Sequence, residues 1–110
     1  MNKVVIIGRL VADVELNNYG KGKNGGVYTH FTIAVNNGKD EKGEQKAVFV
    51  PCSAFNSSAE ILDSYVSKGD MVAITGRIAV DNYEDKEGNR RSKFYVAVDN
   101  VELLPNGKKK

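Results

Sequence analysis

Residues 27–35 alternate strictly, with Phe31, Ile33 and Val35 on one side of an extended chain and His30, Thr32 and Ala34 on the other. Period-two alternation marks a strand with one face covered and one face free. The pattern returns at residues 46–55 and 71–83, and β-branched or aromatic stretches at 4–10 and 93–104 bring the number of expected strands to five. Only one segment carries helical periodicity. Ile61, Leu62, Tyr65 and Val66 recur at helical spacing, and Ser57-Ser58-Ala59-Glu60 before them fits a capping box in which Ser57 and Glu60 satisfy each other's free amides. Lys68 suits the negative end of that helix, and Gly69 supplies a left-handed stop after about three turns.

The connections are legible too. Residues 17–26 form a glycine-rich cationic loop expected to be mobile, and residues 36–45 form a polar hairpin tip containing Gly38 and Gly43. A charged tip with Gly88 spans 84–91, and Pro105 ends the last strand. Residues 105–110, ending in Lys108, Lys109 and Lys110, are expected to form a short basic disordered tail. Three strands, a capped helix and two more strands is the order of a five-stranded Greek-key barrel, the OB-fold, with the helix plugging one end. An unrelated small α+β sheet would share that order.

At 110 residues the chain has room for one domain with one modest core, expected over residues 1–104. Its apolar runs, such as 4–7 and 71–74, are far too short to span a membrane as a helix. The N-terminus turns polar too early for a secretory leader and reads as the first strand. Cys52 is the only cysteine, which rules out an internal disulfide and suits a reducing cytoplasm. With His30 the only histidine, soft ligands for zinc are too few and no nucleophile–base pair is evident, so neither metal, cofactor nor catalysis is expected. No phosphate-binding GxxxxGK[ST] loop is present. His30 is expected to be structural. A net charge of +2 fits a polyanionic partner but is too small to bind one by charge alone.

Asn2-Lys3-Val4, Gly8-Arg9-Leu10, Asp13-Val14-Glu15-Leu16, Phe31-Thr32-Ile33-Ala34-Val35-Asn36, Tyr65-Val66-Ser67-Lys68-Gly69-Asp70 and Gly76-Arg77-Ile78 follow one another in the order and spacing of a known family. The chain resembles the bacterial and phage single-stranded DNA-binding proteins over residues 1 to about 104. The resemblance implies an OB-fold subunit, assembled as a homotetramer, that coats single strands with little sequence preference during replication, recombination and repair. It also implies residence in the bacterial cytoplasm, or in the host cell for a phage-encoded copy. Base faces stack on aromatic rings without regard to sequence, and phosphates call for cations.

The alternation puts Phe49, Pro51, Ser53 and Phe55 on one face of their strand, with Val48, Val50, Cys52 and Ala54 facing the core. In the next strand it puts Arg77, Ala79, Asp81 and Tyr83 outward, and Val72, Ile74, Ile78 and Val80 inward. Burial tendency alone would make Phe49 and Phe55 core residues. The resemblance instead implies that Phe49, Phe55 and Tyr83 are base-stacking residues, while Phe31, sharing a face with Ile33 and Val35, reads as core. It further implies phosphate contacts for Lys3, Arg9, Lys68, Arg77 and Arg91, each of which would otherwise read as a solvated surface charge.

The chain departs from the family in three places. Asn37 and Gly38 stand where relatives carry another stacking aromatic, Asp81 and Asn82 where they are often basic, and the lysine-rich end where bacterial members have a linker and an acidic protein-recruiting tip. The alternatives are an OB-fold bridging protein resembling primosomal replication protein, and an RNA binder of the same fold.

Overall fold

A computed structural model describes residues 1–105. It contains six strands, β1 (Val4–Leu10), β2 (Asn17–Tyr19), β3 (Gly26–Lys39), β4 (Gln45–Phe55), β5 (Met71–Glu84) and β6 (Arg90–Leu103), and one helix, α1 (Ser57–Tyr65). The expected tail lies outside the described residues beyond Pro105.

The five long strands form a ring. β1 runs antiparallel to β5, β5 to β6, and β3 to β4. β4 and β6 meet in parallel through Cys52↔Val96 and Ser53↔Ala97, and β3 returns to β1 through Arg9↔Ala34 and Leu10↔Ile33. That cycle is the OB-fold connectivity expected from the element order. Leu10, Ile33, Ala54, Val72 and Ile74 are almost fully buried inside the ring. Phe31, Cys52, Val96 and Val101 are buried with them, and α1 covers one end with Ala59 and Leu62. Each large apolar side chain removed from water contributes about 1.5–3 kcal/mol. Burial also pushes the Cys52 thiol up to about 12, which leaves it protonated and unreactive at neutral pH.

Four expectations are corrected. First, the 17–26 segment is partly built into the sheet: β2 pairs with β3 through Asn17↔Tyr28, Asn18↔Val27 and Tyr19↔Gly26, and a 3-10 turn follows at Gly22–Asn24. Second, the Ser57–Glu60 capping box does not form. The N-cap is Asn56, at φ 52° and ψ −119°, with no side-chain cap bond, because its amide is turned toward β2 and β3 instead. Third, α1 stops at Tyr65, where the Val66 cap is already extended. Gly69, at φ 88°, belongs to the following turn, where the Asp70 amide donates to the Ser67 carbonyl and the Gly69 amide to the Leu10 carbonyl. Fourth, Val48, Ile78 and Val80 are exposed although alternation sends them inward. Strands β5 and β6 run past the ring as a long two-stranded arm, and β4 touches β6 at only two residue pairs, so this part of the inner face has no cover.

One glycine lets the arm join the barrel. Between Thr75↔Asn100 and Gly76↔Val98 the register slips by one residue, leaving Asp99 as a bulge. A Cβ at Gly76 would collide with the Ala97 carbonyl oxygen and crowd Val96. Gly76→Ala should therefore lower stability by about 1–3 kcal/mol, read as a lower urea midpoint at unchanged slope.

Candidate nucleic-acid interface

Residues directly opposite in a ladder share a face, so the register identifies which side chains stand together. Arg77 pairs with Ala97, Ala97 with Ser53, and Ser53 with His30, giving one row across β5, β6, β4 and β3. Alternation from that row assigns Tyr28, His30, Thr32 and Ala34 of β3 and Phe49, Pro51, Ser53 and Phe55 of β4 to a single outer face. On β6 and β5 the same face holds Arg91, Lys93 and Tyr95 with Ala79, Asp81 and Tyr83. Its middle is a groove of about 310 Å³ between the β3–β4 and β5–β6 pairs, lined by His30, Thr32, Pro51, Ser53, Lys93 and Tyr95 among others. His30 Nδ1 and Ser53 Oγ, neighbours on its β3–β4 wall, are hydrogen-bonded at 2.6 Å.

Phe49, Phe55 and Tyr83 are 63, 49 and 50% exposed, against 7% for Phe31. The first three are free to take a ligand on a ring face, and Phe31 is in the core. Phe55 is directly opposite Tyr28, with ring centroids 5.9 Å apart, and Tyr83 is directly opposite Arg91. Phe49 lies in the row Arg9–Ala34–Phe49 and also borders the uncovered apolar opening formed by Val4, Ile6, Ile78 and Phe94.

The five cations are distributed unevenly. Arg9 donates to the Gly69 carbonyl at 2.9 Å and so braces the turn after α1. Lys68 sits in that turn, where its amide donates to Asp13 Oδ1, and Lys3 lies just before β1; both side chains are exposed. Arg77 reaches the bulged Asp99 at 3.2 Å, and Arg91 reaches Asp85 at 2.8 Å. Exposed pairs of this kind contribute little to stability and can exchange partners. Among the described residues no cluster of His, Cys, Asp or Glu could hold a metal ion.

Sequence reasoning missed Tyr28, Tyr95, Lys93 and Tyr19 as members of this surface. For Tyr28, Tyr95 and Lys93 the signal was the alternation itself, carried one strand further, whereas Tyr19 lies on β2, which no periodicity marked. Tyr28 shares parity with His30, and Tyr95 with Lys93 and Arg91, but only the register brings these residues beside Phe55 and Pro51. His30, expected to be structural, is exposed in the groove as well as bonded to Ser53.

Residues 1–104 match the model of the single-strand binding protein family. Over 94% of its length the chain is 40% identical to single-stranded DNA-binding protein 1 of Streptococcus pyogenes, covering 78% of that protein. It is 39% identical over 99% of its length to the single-stranded DNA-binding protein of Clostridium tetani, covering 74% of it. It is 37% identical over 94% of its length to single-stranded DNA-binding protein 2 of Staphylococcus aureus, covering 72% of it.

At the arm's tip, the Arg91 guanidinium and the Asn89 and Glu87 amides hold the Asp85 carboxyl below its usual range. A depressed folded value means that this carboxylate favours the closed tip above the ordinary value of 3.8 and that the benefit is lost as pH falls through the folded one. In an acid titration followed by NMR, the Glu87 and Asn89 amide resonances should therefore move with a midpoint below pH 3.8, and Arg91→Gln should raise that midpoint.

Proposed function

We infer from the fact that this chain belongs to the single-strand binding protein family that it binds single-stranded DNA, and we propose that it does so on the outer face of β3, β4, β5 and β6. The observation that carries the placement is the register. It lines up exposed rings from separate strands on one continuous surface, beside a groove that a strand of nucleotides can follow.

Phe49, Phe55 and Tyr83 supply stacking faces for successive bases, and stacking tolerates any sequence because every base has a flat apolar face. Arg91, opposite Tyr83, exchanges Asp85 for a phosphate when DNA arrives, and Arg77 does the same with Asp99. Lys3, Arg9 and Lys68 carry further positive charge around the β1 end of the sheet. With a net charge of +2 and two arginines already paired, charge guides the strand while stacking holds it. The protein works by binding without turnover, in the bacterial cytoplasm or in the host cell if phage-encoded, keeping single strands covered during replication, recombination and repair.

The same reading extends to assembly as a homotetramer. From Val4 to Gly8, β1 pairs with β5 on one side only, since its pairing with β3 begins at Arg9. Val5 and Ile7 on that stretch are 65 and 52% exposed. A strand edge next to uncovered β-branched residues is satisfied by a second copy of the chain. Light scattering of the full chain should give four times the monomer mass.

The decisive comparison is affinity for poly-dT, poly-rU and duplex DNA in one buffer. Poly-dT should bind tightest, and preference for either of the others would replace this function with RNA or duplex binding. Phe49→Ala and Phe55→Ala should each weaken poly-dT binding by about 1–3 kcal/mol, the size of effect known for stacking aromatics in this class of protein, with melting temperature nearly intact. A large loss of melting temperature would make them core residues. Affinity should also fall with salt at a log–log slope of about −0.7 per phosphate neutralised, and Arg91→Ala should flatten it by a fraction of one contact.

A further inference from the structure

Asn56 is the only non-glycine residue with positive φ among those described. At φ 52° and ψ −119° it lies outside even the left-handed helical region that asparagine tolerates, a conformation suited to glycine. A strained residue persists where its surroundings fix it, and here the fixing contacts are on the page. The Asn56 amide donates to the Val27 carbonyl at 2.7 Å, and the Val27 amide returns a bond to Asn56 Oδ1 at 3.2 Å. Asn56 Nδ2 donates to the Tyr19 hydroxyl at 2.9 Å, and that hydroxyl faces Asn56 Oδ1 at 3.2 Å.

Gly26 completes the arrangement from below. A Cβ there would collide with Asn56 Oδ1 and stand 2.6 Å from the Tyr19 hydroxyl oxygen and 2.7 Å from its ring carbon Cζ. The space under the Tyr19 ring therefore exists only because residue 26 is glycine. Held this way, Tyr19 meets Phe55 edge-on, with centroids 6.0 Å apart at 75°, and Tyr28 at 6.2 Å. Phe55 and Tyr28 close the triangle at 5.9 Å.

The lock does little for the core, because Tyr19 remains 36% exposed and Asn56 itself is exposed. Glycine at 56 would relieve the strain. What the asparagine provides is a fixed ring beside Phe55.

We propose that Asn56 is a positioning residue that pins Tyr19 against Phe55, making Tyr19 a further nucleobase-contacting residue in a three-ring site with Phe55 and Tyr28 at the α1 end of the sheet. The proposal rests on the reading of the sheet face as a single-stranded DNA site. Three rings in fixed mutual orientation lose no freedom when a base settles on them, so the ordering cost of binding is met during folding. The site takes the base of any nucleotide, and Asn56 acts on it only through Tyr19.

The test uses the full chain and a fluorescently labelled oligo-dT, with affinity by anisotropy and melting temperature measured on each variant. Tyr19→Ala should weaken binding about fivefold or more, the lower end of the loss for one stacked base. Tyr19→Phe keeps the ring but loses its tether and should fall between Tyr19→Ala and wild type. Asn56→Gly should melt at or above the wild-type temperature and yet bind oligo-dT more weakly, a combination that a merely structural asparagine would not give. Photo-crosslinking of wild type to an oligonucleotide carrying 5-iodouracil should label Tyr19, a readout that survives any variant's failure to fold.

Asn56→Gly and Tyr19→Phe binding as wild type does, with no crosslink at Tyr19, would overturn the proposal while leaving DNA binding in place. Asn56→Gly melting well below wild type would overturn the positioning role and make Asn56 a structural residue. If wild type fails to bind oligo-dT, or Phe55→Ala binds unchanged, the reading of the whole face fails first.

Discussion

Two residue pairs in parallel register, Cys52↔Val96 and Ser53↔Ala97, are the only ladder between β4 and β6. Parallel neighbours cannot be joined by a tight turn, so the chain must cross the barrel through α1 and β5 before β6 returns to meet β4. That detour places the helix over one end and brings the β3–β4 hairpin and the β5–β6 arm into one sheet. Without this contact the two hairpins would be joined only through β1, and the rings of β4 and β6 would lie at opposite edges of an open sheet. With it, Ser53 and Ala97 stand side by side, and the outer faces of both hairpins become one surface with a groove between them. The brevity of the contact matters as well. Beyond it the strands diverge, which leaves Val48, Ile78 and Val80 without cover.

The parts of this arrangement legible in the sequence were those governed by alternation. Phe31 inward and Arg77 and Tyr83 on the outer side of their strand follow from a period of two, and so does the order of the long elements. Phe49 and Phe55 outward needed the family resemblance as well, because burial tendency alone makes them core. Alternation tells which side a residue takes but not whether anything lies on that side, so Ile78 and Val80 read as core and are not. It also leaves the register between strands open, and the neighbours of Phe55 and Tyr83 are matters of register. The capping box fails for a different reason. Ser57 and Glu60 satisfy the local rule, but Asn56 is bound across the sheet to β2 and β3, and those contacts set how the helix begins. Nothing in a glycine-rich stretch without periodicity marked Asn17–Tyr19 as a strand.

Charge and aromaticity divide the work differently from what a list of lysines and arginines suggests. Three of the five cations singled out from the sequence already bond to protein oxygens: Arg9 to a turn carbonyl, Arg77 to the bulge and Arg91 to the arm's tip. Each lies at a point where the backbone changes direction. The rings, by contrast, project from regular strands, whose geometry holds them at fixed spacing. The regular strands thus carry the exposed rings, and these three cations lie at the scaffold's corners.

The one-residue slip at Asp99 reconciles two independent demands on β6. The turn between Asp85 and Asn89 sets the pairing of residues 90–98 with 76–84, whereas the core sets the pairing of Val101 with Ile74. An uninterrupted ladder continued from the tip would bring Val101 opposite Ala73 and turn it out of the core. The chain length between tip and barrel is therefore fixed to the residue. Insertions or deletions within the arm would invert either the ring-bearing face or the core face, while the same changes at the tip would only lengthen or shorten a solvent loop. That parity leaves the hairpin end as the place where length can change without disturbing either face.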